Sequence, residues 1–427
     1  MRIYCNPERA SWPELTRRSL RDDAAVEGRV ADIIERVRKD GDAALKALSK
    51  EIEGFVPDSF TVGAGEIAEA CGRLPEKLKA AIREAYGRIY EFHSRQLPSG
   101  TVWDDGRGVV CGRRFVPVNC AGMYVPGGSA PLFSTVLMLA VPAAIAGCPS
   151  RILCTPPDRQ GRIADAILFA ADLCGVDTIY KLGGAQAIAA MAFGTSTVRK
   201  ADKIFGPGNR YVMKAKQILS RSGLAIDIPA GPSEVMVLAD DSARASFVAA
   251  DMLSQAEHGP DSQVMLVCRD AAFAEDVQAE IARQKAALPR ESMVDKALDN
   301  SRIIILPDAA AQVDFANMYA AEHLILSVRD AESVADRITA AGSIFLGNWS
   351  PESAGDYASG TNHTLPTSGL ANAWSGLGVE SFMRAITWQK ISREGLSALA
   401  PTIIQMAEAE GLEAHAEAVR KRLYEEN

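Results

Sequence analysis

The sequence predicts an α/β protein whose strands are mainly parallel and alternate with helices. From Arg151 onward, short apolar runs are separated by longer stretches with helical periodicity. This alternation is typical of βαβ units, in which the strands lie parallel in one sheet and helices cover it. The runs predicted as strands are RILC (151–154), TIYK (178–181), ADKIF (201–205), LAID (224–227), VMVLAD (235–240), QVMLVC (263–268), RIIIL (302–306), HLILSV (323–328) and SIFLGN (343–348).

The helical stretches between these runs carry apolar residues at the spacing of one helix face. They are IADAILFAADLCG (163–175), AQAIAAMAFG (185–194), YVMKAKQILSR (211–221) and ARASFVAADMLSQAEHG (243–259). Their positions between consecutive strands predict crossover helices of parallel sheets.

Two segments are predicted to connect domains, and a helical tail follows a long loop. The connecting segments are Asn119–Phe133 and the break at Ala230-Gly231-Pro232. The segment Ser350–Gly378 is rich in Gly, Ser, Asn and Pro and is predicted to be irregular. The last residues, over 392–411 and 412–426, are predicted to be helical, and such a tail needs an apolar surface to pack on. That surface belongs either to the same domain or to a partner subunit.

Length and composition are those of an ordinary globular protein. The chain has 427 residues, enough for two or three domains, with 48% hydrophobic and 23% charged residues. Its formal net charge of −8 argues against nucleic acid as a partner and leaves a small-molecule substrate open.

The sequence carries no signal for export or membrane insertion, which predicts a cytoplasmic protein. The N-terminal residues lack the apolar stretch of a signal peptide. The longest apolar run, Val136–Cys148, contains Pro142 and is too short to span a bilayer. The eight cysteines are scattered without a CxxC pair, so we expect them to be reduced and mostly buried.

Gln255 and His258 form a candidate metal site. They stand three residues apart in LSQAEHG, a spacing that places both side chains on one helix face. Together with Asp356 and one further histidine they would form a nitrogen and oxygen ligand set. Such a set suits zinc, although other divalent metals also bind imidazole and carboxylate. The alternative is an exposed helix end beside a buried histidine.

The adjacent pair Glu322 and His323 is a candidate for acid–base chemistry. It stands between a helical stretch and the apolar run HLILSV, and we expect it on the ligand-binding edge of the sheet. Histidine can take a hydroxyl proton near neutral pH, and glutamate can activate water. The alternative is a polar loop beside a strand.

Three glycine-rich turns, in YVPGGSAP, KLGGAQA and FGPGN, can bring backbone N–H groups near a phosphate. None of them has the spacing G-x-G-x-x-G. The one near match, Gly63–Ala68, lacks a strand with a terminal acidic residue about 20 residues later, so we do not interpret it as a dinucleotide fingerprint.

Together these segments resemble the histidinol dehydrogenase family. The resemblance is dense from about Tyr124 to His415 and is carried by many motifs in the family's order. These are YVPGGSAPLFSTVLMLAVPA, GGAQAIAAMAFGT, FGPGN, AGPSEV, MLSQAEHGPDSQ, AEHL, GDYASGTNHTLPT and EGLEAH. The resemblance implies the activity of that family, which is an NAD-linked, zinc-dependent oxidation of L-histidinol through L-histidinaldehyde to L-histidine. These are the last steps of histidine biosynthesis.

The resemblance also implies roles for individual residues. His323 is the general base and Glu322 activates water. NAD contacts Tyr124, Gln186 and Asn209. One zinc ion per subunit is bound by Gln255, His258, Asp356 and His415. The substrate-binding residues are Ser233, Gln255, His258, Glu322, His323, Asp356, Glu410 and His415, and His363 lies in a segment that lines the same site.

The implied fold is two Rossmann-like, mainly parallel-sheet units with helical terminal segments that form a homodimer. Residues 1–21 are expected to be a helical N-terminal segment. Residues 22–123 and 235–372 form the first Rossmann-like domain with the catalytic and zinc residues, and 124–234 form the second, with the NAD contacts. Residues 373–427 are expected to be a helical tail exchanged between subunits, so that His415 serves the partner's site.

Three other interpretations stay open at this point. A dehydrogenase of the same fold could oxidise another small alcohol, such as a sulfopropanediol. A cysteine could attack the aldehyde covalently, and Cys120, which precedes the YVPGG turn, is the best placed. The third interpretation is a protein that binds metal without catalysis. The presence of Glu322, His323 and the residues expected to contact NAD argues against it.

Overall fold

The computed structural model describes residues 1–18, 24–127, 131–228 and 231–424. Part of the predicted break at Ala230 and the centre of the glycine turn, over 128–130, lie outside these residues, as does the predicted boundary at residue 21. All statements about the fold concern the described ranges.

The strands of the described chain follow the predicted alternation from residue 150 onward. In chain order they are β1 (Arg2–Cys5), β2 (Thr101–Asp104), β3 (Val109–Pro117), β4 (Cys120–Tyr124), β5 (Ser150–Thr155), β6 (Thr178–Lys181), β7 (Lys203–Phe205), β8 (Ala225–Ile226), β9 (Glu234–Ala239), β10 (Gln263–Cys268), β11 (Arg302–Ile305), β12 (His323–Ser327), β13 (Ser343–Leu346) and β14 (Met383–Ile391).

The α-helices lie before, between and after these strands. They are α1 (Trp12–Leu15), α2 (Ala24–Asp40), α3 (Asp42–Leu48), α4 (Ala64–Arg73), α5 (Glu76–Ser94), α6 (Phe133–Ile145), α7 (Asp165–Leu173), α8 (Gly184–Phe193), α9 (Arg210–Ser220), α10 (Ala245–Ala256), α11 (Ala271–Lys285), α12 (Glu291–Asp299), α13 (Ala309–Tyr319), α14 (Ala331–Ala335), α15 (Glu352–Tyr357), α16 (Arg393–Ala409) and α17 (Glu413–Tyr424). Short 3-10 helices occur at Arg9–Ser11, Leu370–Asn372 and Val379–Phe382, and a π-helix at Ser49–Glu53.

A six-stranded parallel sheet has the order β1-β11-β10-β9-β12-β13. Its central strands are buried on both faces, which explains why they are continuous apolar runs rather than alternating ones. Helices α10, α11 and α12 pack on one face, and α1, α13 and α14 pack on the other. We call this the six-stranded sheet.

A five-stranded parallel sheet has the order β6-β5-β4-β7-β8. The chain runs outward from β4 through β5 to β6 and then returns to the other side with β7. The strand order therefore reverses between β4 and β7, and a crevice for ligands is expected at the carboxyl ends of these two strands. We call this the five-stranded sheet.

The helices of residues 24–94 belong to the unit of the five-stranded sheet and pack mainly against the helices that cover it. Helices α2 and α3 lie with α8 and α9 on one face, whereas α4 and α5 lie with α6 and α7 on the other. The sequence-based division had grouped 22–123 with the domain of 235–372. Helix periodicity shows that a face is apolar but does not show which sheet it will cover, and this explains the difference.

Two strands lie in terminal segments that were predicted to be helical, and both predictions were wrong in this respect. Strand β1, within 1–21, pairs with β11 at the edge of the six-stranded sheet. Strand β14, within 373–427, pairs along its whole length with β3 in an antiparallel sheet of order β14-β3-β2. Both strands are mostly exposed, so their conformation depends on a pairing partner that is remote in sequence.

Helix α6 covers most of the longest apolar run and contains Pro142. Within the described ranges, no helix combines the length and apolar character needed to cross a membrane.

Candidate active site

The candidate catalytic pair lies at the amino edge of the six-stranded sheet. His323 is the first residue of β12, and Glu234 is the first residue of the neighbouring parallel strand β9. We had expected the pair on the ligand-binding edge of its sheet, which in open parallel sheets is the carboxyl edge. That expectation was wrong, because a residue that follows a helix and begins a parallel strand stands at the amino end of that strand.

Main-chain groups of Glu234 contact both members of the pair. Its backbone N–H donates to Oε2 of Glu322 at 2.8 Å, and its carbonyl oxygen lies 3.3 Å from Nδ1 of His323. Both side chains are buried, with 5% and 3% of their residue surface exposed. The imidazole Nδ1 also lies 3.7 Å from Glu322 Oε2, so the two side chains interact directly.

Further carboxylates surround His323. Asp356 places Oδ1 3.6 Å from Nε2 of the imidazole, and Glu352 places Oε1 3.9 Å from Nδ1. Burial raises the pKa of Glu322 to about 8 and that of Glu352 to about 8. Burial alone would lower the pKa of His323, but the carboxylates around it, Glu322 first, raise it to about 10. The cluster contains more acid than one imidazole can neutralise, and this favours binding of a cation.

Three side chains of this cluster can hold a metal ion. Ligand atoms of His258, Glu352 and Asp356 all lie within 4.8 Å of one another. Nitrogen and carboxylate oxygen donors of this kind suit zinc. Gln255 is buried on α10, and His258 follows in the turn after the helix ends. With its amide nitrogen towards the acceptors, Gln255 donates to Glu352 Oε1 at 2.8 Å and to the Glu234 carbonyl at 3.2 Å.

Glu352 was missed by the sequence analysis. It lies with Asp356 on α15, inside the segment Ser350–Gly378 that was predicted to be irregular. The helix puts residues four apart on one face, so both carboxylates point towards the cluster. The spacing of two acids in PESAGDY was a signal for this arrangement, although the glycine within the segment concealed the helix.

His363 connects the cluster to the five-stranded sheet. Its Nδ1 lies 2.9 Å from the carbonyl oxygen of Asp356, and its Nε2 lies 3.4 Å from the hydroxyl of Thr135 near the start of α6. Helix α6 follows β4, so the carboxyl edge of the five-stranded sheet lies beside the amino edge of the six-stranded sheet. Ser233 directly precedes Glu234, the first residue of β9, and is partly buried.

The three candidate NAD contacts lie at the carboxyl edge of the five-stranded sheet. Tyr124 ends β4, and its hydroxyl accepts a hydrogen bond from Gly184 N at 3.0 Å. Gln186, in the first turn of α8, donates to Glu53 Oε1 at 3.2 Å. Asn209 caps α9 by accepting from Tyr211 N at 3.0 Å and Val212 N at 3.2 Å. Tyr124 and Asn209 therefore flank the point where the strand order reverses.

Two candidate residues are not brought to the cluster of their own chain. Glu410 is the C-terminal cap of α16, and His415 lies on α17. Both side chains are exposed. We call β14, α16 and α17 the C-terminal arm (residues 383–424). Its helices pack against each other, and Arg420 of α17 forms ion pairs with Glu408 and Glu413.

The position of Cys120 does not favour a covalent mechanism. The residue begins β4, at the amino edge of the five-stranded sheet, whereas the NAD-contact candidates lie at its carboxyl edge. Its side chain is part of the apolar core, and burial raises the pKa of the thiol. A buried thiol that resists ionisation is a poor nucleophile.

The chain is similar to histidinol dehydrogenases in both sequence and structure. A family model described as histidinol dehydrogenase matches residues 16–423. The histidinol dehydrogenase of Bacteroides fragilis is 50% identical over 425 residues, which cover 100% of this chain and 99% of that protein. The Vibrio vulnificus enzyme is 50% identical over 411 residues, which cover 96% of this chain and 94% of that protein. The crystal structure of histidinol dehydrogenase from Elizabethkingia anophelis matches with a TM-score of 0.96 at 48% identity, over 99% of this chain and 98% of that chain.

Proposed function

The chain belongs to the histidinol dehydrogenase family, and on that premise we propose how its residues oxidise L-histidinol to L-histidine with NAD. The predicted family and the predicted α/β fold are confirmed. The observation that carries the assignment of the site is the contact between the pair Glu322 and His323 and a group of metal-binding side chains. An acid–base pair beside a cation site is what oxidation of an amino alcohol, followed by hydration of its aldehyde, requires.

The donor set fits zinc. Gln255, His258 and Asp356 would hold the ion, with His415 of the partner subunit as the fourth ligand. The buried acid Glu352 lies beside these ligands, where a divalent cation would balance its charge and that of Asp356. Zinc, when bound, supplies a positive charge that orients the imidazole and amino nitrogens of histidinol.

His323 is the proposed general base of the first oxidation. Its Nδ1 faces the carbonyl oxygen of Glu234, so an N–H at Nδ1 is stabilised there and Nε2 keeps its lone pair. We assign Nε2, which faces the Asp356 carboxylate, to the hydroxyl proton. A metal ion held by Asp356 would supply positive charge beside His323, which favours the neutral imidazole that a base requires. NAD, when bound, accepts the hydride in each of the two oxidations.

Glu322 is the proposed activator of water in the second oxidation. The N–H of Glu234 holds its Oε2, and we assign Oε1 to the water that hydrates the aldehyde. A glutamate whose pKa lies near the working pH can accept and return a proton. The aldehyde would remain in the buried site between the two steps, which protects a reactive intermediate.

The proposed NAD site is the crevice at the carboxyl ends of β4 and β7. Tyr124 and Asn209 flank this crevice, and Gln186 lies on α8, which begins at the same edge. Helices α8 and α9 begin at this edge, and the positive ends of their dipoles suit a pyrophosphate. The contacts of His363 with Thr135 and Asp356 join this edge to the catalytic cluster, so both parts can serve one substrate.

We propose that the chain forms a homodimer in which the C-terminal arm of each subunit docks on its partner. The arm is anchored through β14, and it carries exposed apolar side chains at Trp388, Met406 and Leu412. Exposed apolar groups on an extended element favour a protein interface. An arm that docks on the partner would bring Glu410 and His415 to the partner's cluster.

The proposed activity is tested with the purified chain. We expect NADH formation on L-histidinol, with two NADH produced for each histidine, and bound zinc by elemental analysis. Removal of the metal with a chelator is expected to abolish NADH formation, and added zinc to restore it. A chain that binds zinc and forms no NADH from histidinol, but forms it from another small alcohol, would contradict the proposed substrate.

Glu322→Gln is expected to impair the second oxidation more than the first, because only the second consumes water. The two rates are measured separately, with L-histidinol and with L-histidinaldehyde as substrates. Glu275→Gln is a suitable control, since Glu275 is an exposed residue of α11 outside the proposed catalytic and metal-binding residues. Equal losses in both oxidations would mean that Glu322 orients His323, and its role towards water would have to be abandoned.

A further inference from the structure

The catalytic pair and one proposed zinc ligand all contact the main chain of a single residue, Glu234. Its N–H donates to Glu322, and its carbonyl oxygen faces both Nδ1 of His323 and the amide nitrogen of Gln255. A displacement of this one peptide segment would therefore disturb both proposed proton-transfer groups at once. The position of Glu234 is thus a determinant of the site geometry, although its side chain plays no part in the proposed chemistry.

The side chain of Glu234 is buried and held by Arg18. The guanidinium binds both carboxylate oxygens, with Nε 3.1 Å from Oε1 and Nη2 2.6 Å from Oε2. Such a two-pronged pair fixes orientation as well as distance. Glu234 has only 1% of its surface exposed, so without this cation its charge would be buried and uncompensated.

Arg18 is itself fixed at two further points. Its Nη2 donates to the carbonyl oxygen of Tyr319 at 2.6 Å, and its guanidinium lies over the Tyr319 ring, 3.7 Å from the centroid. Tyr319 is fully buried, and its hydroxyl donates to Gln263 at 2.8 Å. These contacts fix the N-terminal segment to helix α13, which packs on the six-stranded sheet.

The same carboxylate orders the loop that follows His363. Ser368 N donates to Glu234 Oε1 at 2.5 Å, and Ser368 has a φ of 59°, a left-handed conformation that is uncommon for serine. The neighbouring Thr367 accepts a hydrogen bond from Gly231 N. Glu234 therefore connects the catalytic pair to the segment that carries His363.

We propose that Arg18 and Glu234 form a positioning pair for the active site. Arg18 fixes the carboxylate of Glu234, and the main chain of Glu234 in turn places Glu322 and His323 for proton transfer. The inference rests on the proposed roles of those two residues. Neither Arg18 nor Glu234 touches the reacting atoms in this scheme, so their loss reduces the rate through misplacement of the catalytic groups.

The test compares Arg18→Ala, Arg18→Lys and Glu234→Gln with the unmodified protein at saturating zinc. We expect Arg18→Ala to lower kcat by about 10- to 100-fold, since misplacement of catalytic groups by about 1 Å costs on that order. The KM for NAD should stay within about twofold, because the proposed NAD contacts lie on the other sheet. Arg18→Lys restores the charge without the two-pronged geometry and should recover part of the rate.

Arg17→Ala is the matched control. Arg17 is the adjacent arginine, and its side chain is exposed. Its main-chain carbonyl, which accepts a hydrogen bond from Arg302, is retained in the variant. This variant should keep the kcat of the unmodified protein. Thermal unfolding and circular dichroism of each variant show whether the folded fraction has changed, and kcat is calculated per folded molecule.

The double variant Arg18→Ala/Glu234→Gln shows whether the two residues act together. If Arg18 acts through Glu234, the combined loss of kcat is far smaller than the product of the single losses. The inference is overturned if Arg18→Ala and Glu234→Gln both keep normal kcat per folded molecule, or if their losses multiply. Failure of the proposed function is recognised separately, because then the unmodified protein would form no NADH from histidinol or Glu322→Gln would be fully active.

Discussion

His323→Asn is expected to lower the rate of histidinol oxidation by about 10²- to 10⁴-fold, the usual effect of removing a general base. This loss corresponds to about 3–5 kcal/mol of transition-state stabilisation. Asparagine can keep a hydrogen bond to the carbonyl oxygen of Glu234, but it cannot accept the hydroxyl proton at the position of Nε2. The rate is measured as NADH formed in a single turnover, so that product release does not mask the chemical step.

Zinc content and histidinol affinity are measured on the same His323→Asn protein. Both should remain near their normal values, because the proposed ligands are Gln255, His258, Asp356 and the partner's His415. His323 Nε2 nevertheless lies only 3.6 Å from Asp356 Oδ1, so the imidazole stands next to the metal group. Loss of zinc together with loss of rate would identify His323 as a ligand and contradict its assignment as the base.

Mixing two inactive variants, His323→Asn and His415→Asn, is expected to restore about a quarter of the normal activity. After joint refolding at equal amounts, half of the dimers contain one chain of each kind. If the arm serves the partner, one site of each such dimer combines both lesions and the other site has none. Activity is measured before and after refolding, and the formation of mixed dimers is checked with differently tagged chains.

A matched pair of variants provides the control for this experiment. His323→Asn and His258→Asn both lie in the body of the chain, so every site of their mixed dimer keeps one lesion and mixing should restore nothing. Recovery with His415→Asn but not with His258→Asn would support shared sites. If mixed dimers form and neither combination recovers activity, each chain builds its site from its own residues and the proposed exchange of the arm is wrong.

The short-range features of the active site were predictable because they follow from local pattern. The apolar run after Glu322 and His323 predicts a buried parallel strand, and the structure has this strand as β12. The spacing of Gln255 and His258 predicts two side chains on one helix face. Gln255 lies on α10, but the helix ends before His258, which lies in the turn that follows. Local periodicity determines such relations because they involve residues within one or two turns of each other. The family resemblance added which chemistry these residue types perform.

The sequence by itself determined the alternation of parallel strands and helices, the order of the motifs and the candidate catalytic pair. The tertiary structure decided which sheet edge carries that pair, that α2–α5 pack with the helices of the five-stranded sheet, and that the terminal segments contain β1 and β14. It also brought Glu352 to the metal group and Arg18 to Glu234, a partner 216 positions away in the chain. Pairings of this kind depend on how complete sheets and helices pack, and burial then makes a distant charge the necessary partner of a carboxylate that water no longer solvates.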